Sequence, residues 1–153
     1  MLLREILAQK GKEVHTILAN ASADEVVAEL VRFNIGSLLV RETPGGPILG
    51  IITERDILRS LGEHRPPLEQ LSVATCMSRE LIIAQPDDDI TVAMRLMTMH
   101  RVRHLPVVHG EELYGIVSIG DIVKAHHDEL EMENHHMRSY IQGGASSAVV
   151  PTE

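Results

Sequence analysis

Two places in the chain set a hydroxyl residue and an aspartate three positions apart, directly after a pair of β-branched apolar residues. Thr53 and Asp56 form the first pair, and Ser118 and Asp121 form the second. The β-branched pair predicts the end of a buried strand, and the spacing that follows predicts a helix N-terminus with a capping box. Such a corner also presents free backbone N–H groups, a hydroxyl and a carboxylate, which together can bind the hydroxyl groups of a ribose. Helix capping and ribose binding both remain open for these residues.

The two corners belong to a longer internal repeat. Segment 50–58 reads Gly, two apolar residues, a hydroxyl residue, two variable residues, Asp and two apolar residues, and segment 115–123 repeats this order. Two further pairs of segments align upstream, namely 35–40 with 102–107 and 26–30 with 93–97. The first copy has two extra residues in the Pro- and Gly-rich turn 43–47, where an insertion costs little. The repeat predicts two units of one fold.

With these motifs the chain resembles a tandem pair of CBS domains, also called a Bateman module, over about residues 2 to 127. The Gly-apolar-apolar-Ser/Thr-x-x-Asp motif occurs twice, and the motifs Ile35–Val40 and Arg103–Val108 each occur once. The chain is similar in particular to short bacterial proteins that consist of a CBS pair alone and are assigned to signal transduction. The resemblance implies that the two repeats pack through their sheets about a pseudo-twofold axis.

Alternating short strands and helices predict an α/β or α+β fold in which each repeat reads β-α-β-β-α. We expect the first strand of the second repeat at Leu81–Ala84, and a helix over Ala23–Asn34 with Val31 on its inner face. A long helix should run from Asp121 to about Tyr140. The predicted divisions are the first repeat with an N-terminal helix, a linker, the second repeat, a helical extension and a flexible tail, at residues 1–62, 63–72, 73–127, 128–141 and 142–153.

The resemblance also implies a ligand. CBS pairs bind adenosine compounds in the clefts between their repeats, so AMP, ADP, ATP, NAD or S-adenosylmethionine is expected here, with no catalytic cofactor. The motif residues imply ribose contacts at Thr53 with Asp56 and at Ser118 with Asp121. The strand with the Ile-Gly motif and a threonine on the first strand imply adenine contacts, at Ile35, Gly36, Ser37, Leu38 and Thr16. A half-exposed structural role is the alternative for Thr16.

The phosphate side of such a ligand needs cations. Arg101, Arg103 and His104 are placed similarly to phosphate-contacting residues in the γ subunit of AMP-activated kinase, and Arg55 lies inside the first corner. Arginine suits phosphate because its planar group forms bidentate, charge-assisted hydrogen bonds. On a strand, alternation places Arg101 and Arg103 on one side and His104 on the other. Ordinary surface charge is the alternative role of each residue.

The two copies differ in ways that predict unequal clefts. The first copy carries Glu54-Arg55 where the second carries Ile119-Gly120, and Gly36-Ser37 aligns with Arg103-His104. An arginine in the first corner can reach a phosphate, whereas a glycine in the second leaves room for close backbone approach. We expect one tight nucleotide site and one that is weak, differently selective or empty.

Composition narrows the class of protein. The formal net charge of −8 argues against sequence-independent nucleic-acid binding and against anionic membranes, which both need a basic surface. The single cysteine, Cys76, cannot form an intrachain disulfide and indicates a reducing compartment. No apolar stretch approaches the ~20 residues that span a bilayer. With no signal-like pattern at the start, we expect a cytoplasmic protein.

The C-terminal helix presents an apolar stripe that predicts a packing or homodimer seam. It also carries His126-His127 and His135-His136, but a lone exposed helix rarely completes a ligand shell, so no metal site is predicted. The sequence has no set of nucleophile, base and orienting residue, which argues against an enzyme. The leading hypothesis is a regulatory module that senses energy or redox state through an adenine nucleotide and acts on an effector protein in trans. The alternative is a dimeric scaffold without a nucleotide.

Overall fold

The computed structural model describes residues 1–64 and 67–147. This part of the chain forms six α-helices and five strands, with a 3₁₀ turn at Leu68–Gln70 inside the expected linker. The helices are α1 Leu3–Lys10, α2 Ala23–Phe33, α3 Glu54–His64, α4 Val73–Cys76, α5 Ile90–His100 and α6 Ile119–Ser147. The strands are β1 Thr16–Leu18, β2 Ser37–Arg41, β3 Ile48–Thr53, β4 His104–His109 and β5 Glu112–Ser118. The predicted mixed α/β class is confirmed.

The first repeat builds a three-stranded sheet in the order β1-β2-β3. β1 runs parallel to β2, with Ile17 opposite Val40, and β2 runs antiparallel to β3, with Leu38 opposite Ile52. These four side chains all belong to one buried cluster. Leu39, on the opposite face of β2, is also fully buried, so burial on both faces explains the near-continuous apolar run of this strand.

Helix α2 covers this sheet through Val26 and Leu30, which are buried. It begins at a capping box, in which the N–H of Ser22 donates to a carboxylate oxygen of Glu25 at 2.8 Å. The prediction that Val31 lies on the inner face is wrong, because this side chain is 76% exposed. One residue advances the helix by about 100°, which carries position 31 out of the stripe that Leu30 occupies.

The second repeat builds a hairpin of β4 and β5, and the strand expected at Leu81–Ala84 shrinks to one bridge between Ala84 and Val107. In the first repeat, the N–H of Leu39 donates to the carbonyl of His15 at 3.2 Å and extends the pairing of β1 with β2. The aligned position in β4 is Pro106, which has no N–H and cannot form this bond. Loss of that donor explains the missing strand.

The first helices of the two repeats are exchanged between the cores. Leu3 and Leu7 of α1, from the start of the chain, pack with Leu105 and Val117 of the second repeat. Conversely, Val73 and Cys76 of α4 pack with Ile17, Leu38 and Ile52 of the first repeat. Each core therefore contains a helix from the other half of the sequence.

Matching hydrogen bonds hold both exchanged helices and show the pseudo-twofold relation. The N–H of Leu3 donates to the carbonyl of Asp88 at 2.9 Å, and the N–H of Val73 donates to that of Ala21 at 2.9 Å. The return bonds also match, from Ile90 to Met1 at 3.0 Å and from Ala23 to Leu71 at 2.8 Å. Each exchanged helix thus enters beside the start of α5 or α2 in the same way.

Helix α6 is longer than the sequence predicted. Its first turns pack in the second core through Ile122 and Ala125, and beyond residue 129 the described side chains are exposed. The flexible tail expected from residue 142 is helical as far as Ser147, because propagation of an existing helix adds a hydrogen bond with each residue. The rest of that tail, 148–153, and the linker residues 65 and 66 lie outside the described residues.

Two glycine substitutions test how closely the extended segment after α4, which includes Ser78, packs against β3. We expect Gly50→Ala to lower the free energy of unfolding by about 1–3 kcal/mol, because a Cβ there would collide with the carbonyl oxygen of Ser78. Gly62→Ala is the control: it lies on an exposed part of α3 with open space around its Cβ, and should raise stability by about 0.5–1 kcal/mol. Chemical denaturation measures both, and equal effects would contradict the packing described.

Candidate functional site

The first corner forms where β3 ends at Thr53 and turns directly into α3. The N–H of Thr53 donates to Asp56 Oδ2 at 2.9 Å, its hydroxyl donates to the same oxygen at 3.1 Å, and the Asp56 N–H lies 3.4 Å from Thr53 Oγ1. The Arg59 guanidinium lies 3.7 Å from the other carboxylate oxygen. Asp56 is buried, and these hydrogen bonds together with the nearby guanidinium group fix the orientation of its carboxylate.

The second corner repeats this backbone geometry but receives an additional cation. The N–H of Ser118 donates to Asp121 Oδ2 at 2.8 Å, and the N–H of Asp121 donates to Ser118 Oγ at 3.2 Å. The ammonium group of Lys10 donates to the same Oδ2 at 2.6 Å and to the carbonyl of Ile116 at 3.0 Å. Burial raises the pKa of Asp121, but hydrogen bonds from Lys10 and Ser118 outweigh it and hold that pKa below its usual value.

A cleft of about 400 Å³ lies between the repeats at the first corner, within the size range of small-molecule sites. Both repeats contribute walls. The first supplies Gly36, Ile51, residues 53–56 and Arg59, and the second supplies Ser78, residues 80–82, residues 100–104 and Pro106. The cleft therefore exists only because the two halves of the chain are packed together.

The charged residues of this cleft include one more arginine than carboxylates, although the whole chain is acidic. Four arginines line it against three carboxylates, namely Arg55, Arg59, Arg101 and Arg103 against Glu54, Asp56 and Glu80. Arg59 was not among the predicted site residues. Its spacing was the available signal, since it follows Asp56 by three residues and Arg55 by four on one helix, and such positions share a face.

The backbone at the end of α5 differs from the prediction. Arg101 is not on a strand, because α5 ends at His100 and Arg101 caps it in the left-handed conformation with φ 54°. The N–H of Val102 then bonds back to the carbonyl of Met97 at 3.1 Å, and β4 begins only at His104. Arg101 and Arg103 therefore do not share one side of a strand as predicted, because both precede β4. The turn brings Arg101, Arg103 and His104 to line the same cleft.

His104 packs directly against Gly36, where a Cβ would lie 3.1 Å from two atoms of the imidazole ring. Burial lowers the pKa of His104, and the charges of Lys10 and Arg103 lower it further, while Glu54 and Asp121 act in the opposite direction. The pKa of His104 therefore depends on charged groups at both corners. The glycine at position 36 is what allows the ring to approach so closely.

The residues expected to contact adenine lie in different surroundings, and most of them are not in the described lining of the cleft. Of the five, Gly36 is the one found among the described lining residues of the cleft. Leu38 is buried in the first core, Ser37 is buried in β2, Ile35 packs against that core, and Thr16 is exposed at the start of β1.

The second repeat supplies apolar residues to the wall of the cleft. It includes Ile82, Val102 and Pro106, which align with His15, Ile35 and Leu39 of the first repeat. The adenine contacts predicted at residues 35–38 come from the first copy, and these three lining residues of the second copy were not predicted. The repeat alignment was the signal that identifies them, once it is known that a cleft takes its walls from both copies.

The two corners are unequal because the exchanged helices differ in length. α4 ends at Cys76, and the chain leaves it extended to pair Ser78 with Ile51. α1 instead continues to Lys10, over the second corner. The cavity beside that corner measures about 190 Å³ and is lined in part by Lys10 and Asp121.

One group of side chains has metal-ligand character. Ligand atoms of His127, Asp128 and Glu131 lie within 4.8 Å of one another on α6. The His127 and Glu131 side chains are 66% and 70% exposed, so a metal ion there would be largely surrounded by water. Such a site is weak on its own. Separately, no helix within residues 1–64 and 67–147 has the length and apolar character to cross a membrane.

Comparison with known proteins agrees with this architecture. The family model described as the CBS domain matches residues 4–63 and 73–128. A mitochondrial CBS domain-containing protein of Arabidopsis thaliana is 35% identical over 150 residues, covering 93% of this chain and 72% of that protein. A CBS domain-containing protein of Bacillus subtilis is 34% identical over 111 residues, covering 72% of this chain and 76% of that protein.

Solved structures show the same arrangement. A CBS-domain-containing protein of Agrobacterium tumefaciens matches with a TM-score of 0.79 and 33% identity, covering 82% of this chain and 99% of that chain. The CBS domain pair of protein MJ0100, solved in complex with 5′-methylthioadenosine and S-adenosyl-L-methionine, matches with a TM-score of 0.73 and 26% identity, covering 84% and 98%. With two matched domains over most of its length, the chain belongs to the CBS-domain family as a tandem pair.

Proposed function

We propose that this CBS pair is a regulatory module that binds a phosphorylated adenosine compound in the cleft at the first corner. The observation that carries the proposal is the meeting of Asp56 with four arginines in one cavity between the repeats. A carboxylate at one end and a cluster of guanidinium groups around it match the two ends of a nucleotide. The ligand-bound structure of the MJ0100 pair supports the adenosine part of this assignment.

The ribose end is assigned to Thr53 and Asp56. A carboxylate accepts hydrogen bonds from the two adjacent hydroxyl groups of a ribose, and charge makes such bonds stronger than neutral ones. Asp56 is already oriented by its hydrogen bonds with Thr53, so ligand binding need not order it. The capping role and the binding role are thus performed by the same geometry.

The phosphate end is assigned to Arg55, Arg101, Arg103 and His104, with Arg59 added from the structure. Several cations facing one cavity repel one another, and a bound anion relieves that repulsion while forming bidentate hydrogen bonds. AMP, ADP, ATP and NAD all supply phosphate together with adenosine. The arginines Arg55, Arg101 and Arg103 favour these compounds, because a phosphate can pair with guanidinium groups and the sulfonium group of S-adenosylmethionine cannot.

The output is proposed to act in trans. A ligand that touches both repeats changes their relative arrangement to the extent that it binds one arrangement more tightly. We propose that a homodimer formed through the repeats and α6 transmits this change to an effector protein, without catalysis by the module itself. The single cysteine, Cys76, is buried in the first core and fits a reducing compartment, which we take to be the cytoplasm.

The second candidate function is a dimeric scaffold without a nucleotide. It is favoured by the exposed apolar side chains of α6, which suit an interface whether or not the cleft is occupied. A thermal-shift panel of AMP, ADP, ATP, NAD, NADH and S-adenosylmethionine separates the two functions. A ligand at about 100 times its Kd adds about 2.7 kcal/mol of stability, whereas a pure scaffold gives a flat response.

Replacing the aspartate of each corner tests the assignment of the cleft. We expect Asp56→Asn to weaken AMP binding by about tenfold or more, because a charge-assisted hydrogen bond to ribose contributes roughly 1.5–3 kcal/mol. Asp121→Asn is the matched control, since it makes the same change at the corner where Lys10 already occupies the carboxylate. Isothermal titration calorimetry measures both. An equal loss in the two variants, or no loss in Asp56→Asn, would argue against the first cleft.

The burial of His104 predicts a pH dependence of stability. Its pKa in the folded protein lies below the usual 6.5, so the unfolded chain binds a proton more readily, and stability should fall as the pH drops below about 6.5. His104→Gln should flatten this fall, and saturating AMP should reduce it, because a phosphate beside the imidazole favours its protonated form. Denaturation at pH 5 to 8 measures the effect. His109→Gln, at an exposed position of β4, is the control, and parallel profiles for His104→Gln and wild type would sink the prediction.

The apolar stripe of α6 predicts how copies associate. Val123, Leu130 and Met137 recur every seven residues and are 61%, 46% and 66% exposed, as in the seam of a coiled coil. We expect Leu130→Glu with Met137→Glu to shift a dimer toward monomer while AMP binding persists. Met132→Glu is the control, because Met132 is 62% exposed but lies off the stripe. Analytical ultracentrifugation measures mass, and an unchanged dimer in the double variant would exclude this seam.

A further inference from the structure

We propose that Glu54 sets the phosphate selectivity of the first cleft, so that the cleft prefers a nucleoside monophosphate to a diphosphate or triphosphate. The inference rests on the proposed function, because it concerns which adenosine compound the same cleft binds. It gives a role to a carboxylate that lies between Thr53 and Asp56 of the first corner. The second corner has no such carboxylate, since Ile119 is the aligned residue there.

The carboxylate of Glu54 lies beside a residue that is assigned to phosphate. A Cβ built on Gly36 would meet Glu54 Oε1 at 3.4 Å and His104 Nε2 at 3.1 Å, so both atoms border one point at the wall of the cleft. The backbone fixes the base of the Glu54 side chain, because its N–H donates to the carbonyl of Gly36 at 3.2 Å. Burial lowers the pKa of His104, and the negative charge of Glu54 acts in the opposite direction. The charge of Glu54 therefore reaches the part of the cleft where a phosphate is proposed to bind.

The charged groups of the cleft balance one phosphate better than several. Asp56 and Arg59 face each other at 3.7 Å. The remaining charged groups are three arginines and two carboxylates, namely Arg55, Arg101 and Arg103 with Glu54 and Glu80. A phosphate monoester carries a charge of about −1.5 to −2 at pH 7, and each further phosphate adds about one more negative charge. One phosphate thus already offsets the single excess cation, and further phosphates place their charge near two carboxylates.

The expected effect is moderate, and it is electrostatic. Glu54 is exposed, so water and salt weaken the repulsion between its carboxylate and a phosphate. The walls of a cleft nevertheless make charges interact more strongly than they do in bulk water. Because the repulsion grows with the number of phosphate groups, it changes the ratio of affinities and not only their common level. Its dependence on salt distinguishes it from a loss of packing.

Calorimetric titration with AMP, ADP and ATP, without divalent cations, tests the inference. Wild type should bind AMP most tightly, ADP less tightly and ATP least tightly. Glu54→Gln, which removes the charge at nearly the same shape, should lower the ratio of the ATP Kd to the AMP Kd by about tenfold. Glu54→Asp keeps the charge and should keep the preference for AMP. In wild type this preference should shrink between about 0.05 M and 0.5 M salt.

Glu111→Gln is the matched control, because Glu111 lies in the exposed turn between β4 and β5 and should leave the ratio unchanged. Circular dichroism establishes that each variant is folded. If AMP binds but the ratio is the same in wild type and Glu54→Gln, the inference is overturned and the proposed function stands. Tighter binding of ATP than of AMP by wild type, a preference that salt does not weaken, or equal tightening of all three ligands in Glu54→Gln would also overturn the inference. Binding of none of the three ligands to folded wild type would overturn the proposed function and the inference with it.

Discussion

The exchange of α1 and α4 between the two hydrophobic cores is the constraint on which the rest of the molecule depends. Leu3 and Leu7 complete the second core, and Val73 and Cys76 complete the first, so neither core is closed by its own half of the sequence. Burial of these side chains contributes to both cores and at the same time fixes the halves against each other. The cleft, whose walls come from both repeats, inherits its shape from this packing.

The two pseudo-symmetric repeats differ locally in the lengths of α1 and α4 and in the charged residues beside each corner. The matching hydrogen bonds at Leu3 and Val73 start both exchanged helices alike, but α1 runs eight residues and α4 only four. The longer helix delivers a cation to one corner, and the shorter one leaves the other corner facing a cavity. A duplicated unit thus yields two corners of the same backbone geometry with different surroundings, and arginines from both halves collect at the open one although the net charge is −8.

Local patterns predicted much of the fold, because they report interactions between near neighbours in sequence. The helix over Ala23–Asn34, the caps of both corners and the repeat itself follow from spacing and capping chemistry. The conformation of Arg101 was missed because it depends on a helix cap, and the contact of Lys10 with Asp121 was missed because the two residues lie far apart in the sequence. Contact of residues 35–38 with adenine stays a prediction, since periodicity does not state which copy faces which cleft and Gly36 is the residue of this set found in the described cleft lining.

Pro106 has a consequence for what the cleft wall offers to a base. In the first repeat the carbonyl of His15 is paired with the N–H of Leu39, but within the described backbone the aligned carbonyl of Ile82 has no such donor. Both Ile82 and Pro106 line the cleft. Adenine carries an exocyclic amine where guanine carries an oxygen. The carbonyl of Ile82 is therefore an acceptor that a donor group such as this amine could use, whereas an oxygen placed there would meet a second acceptor.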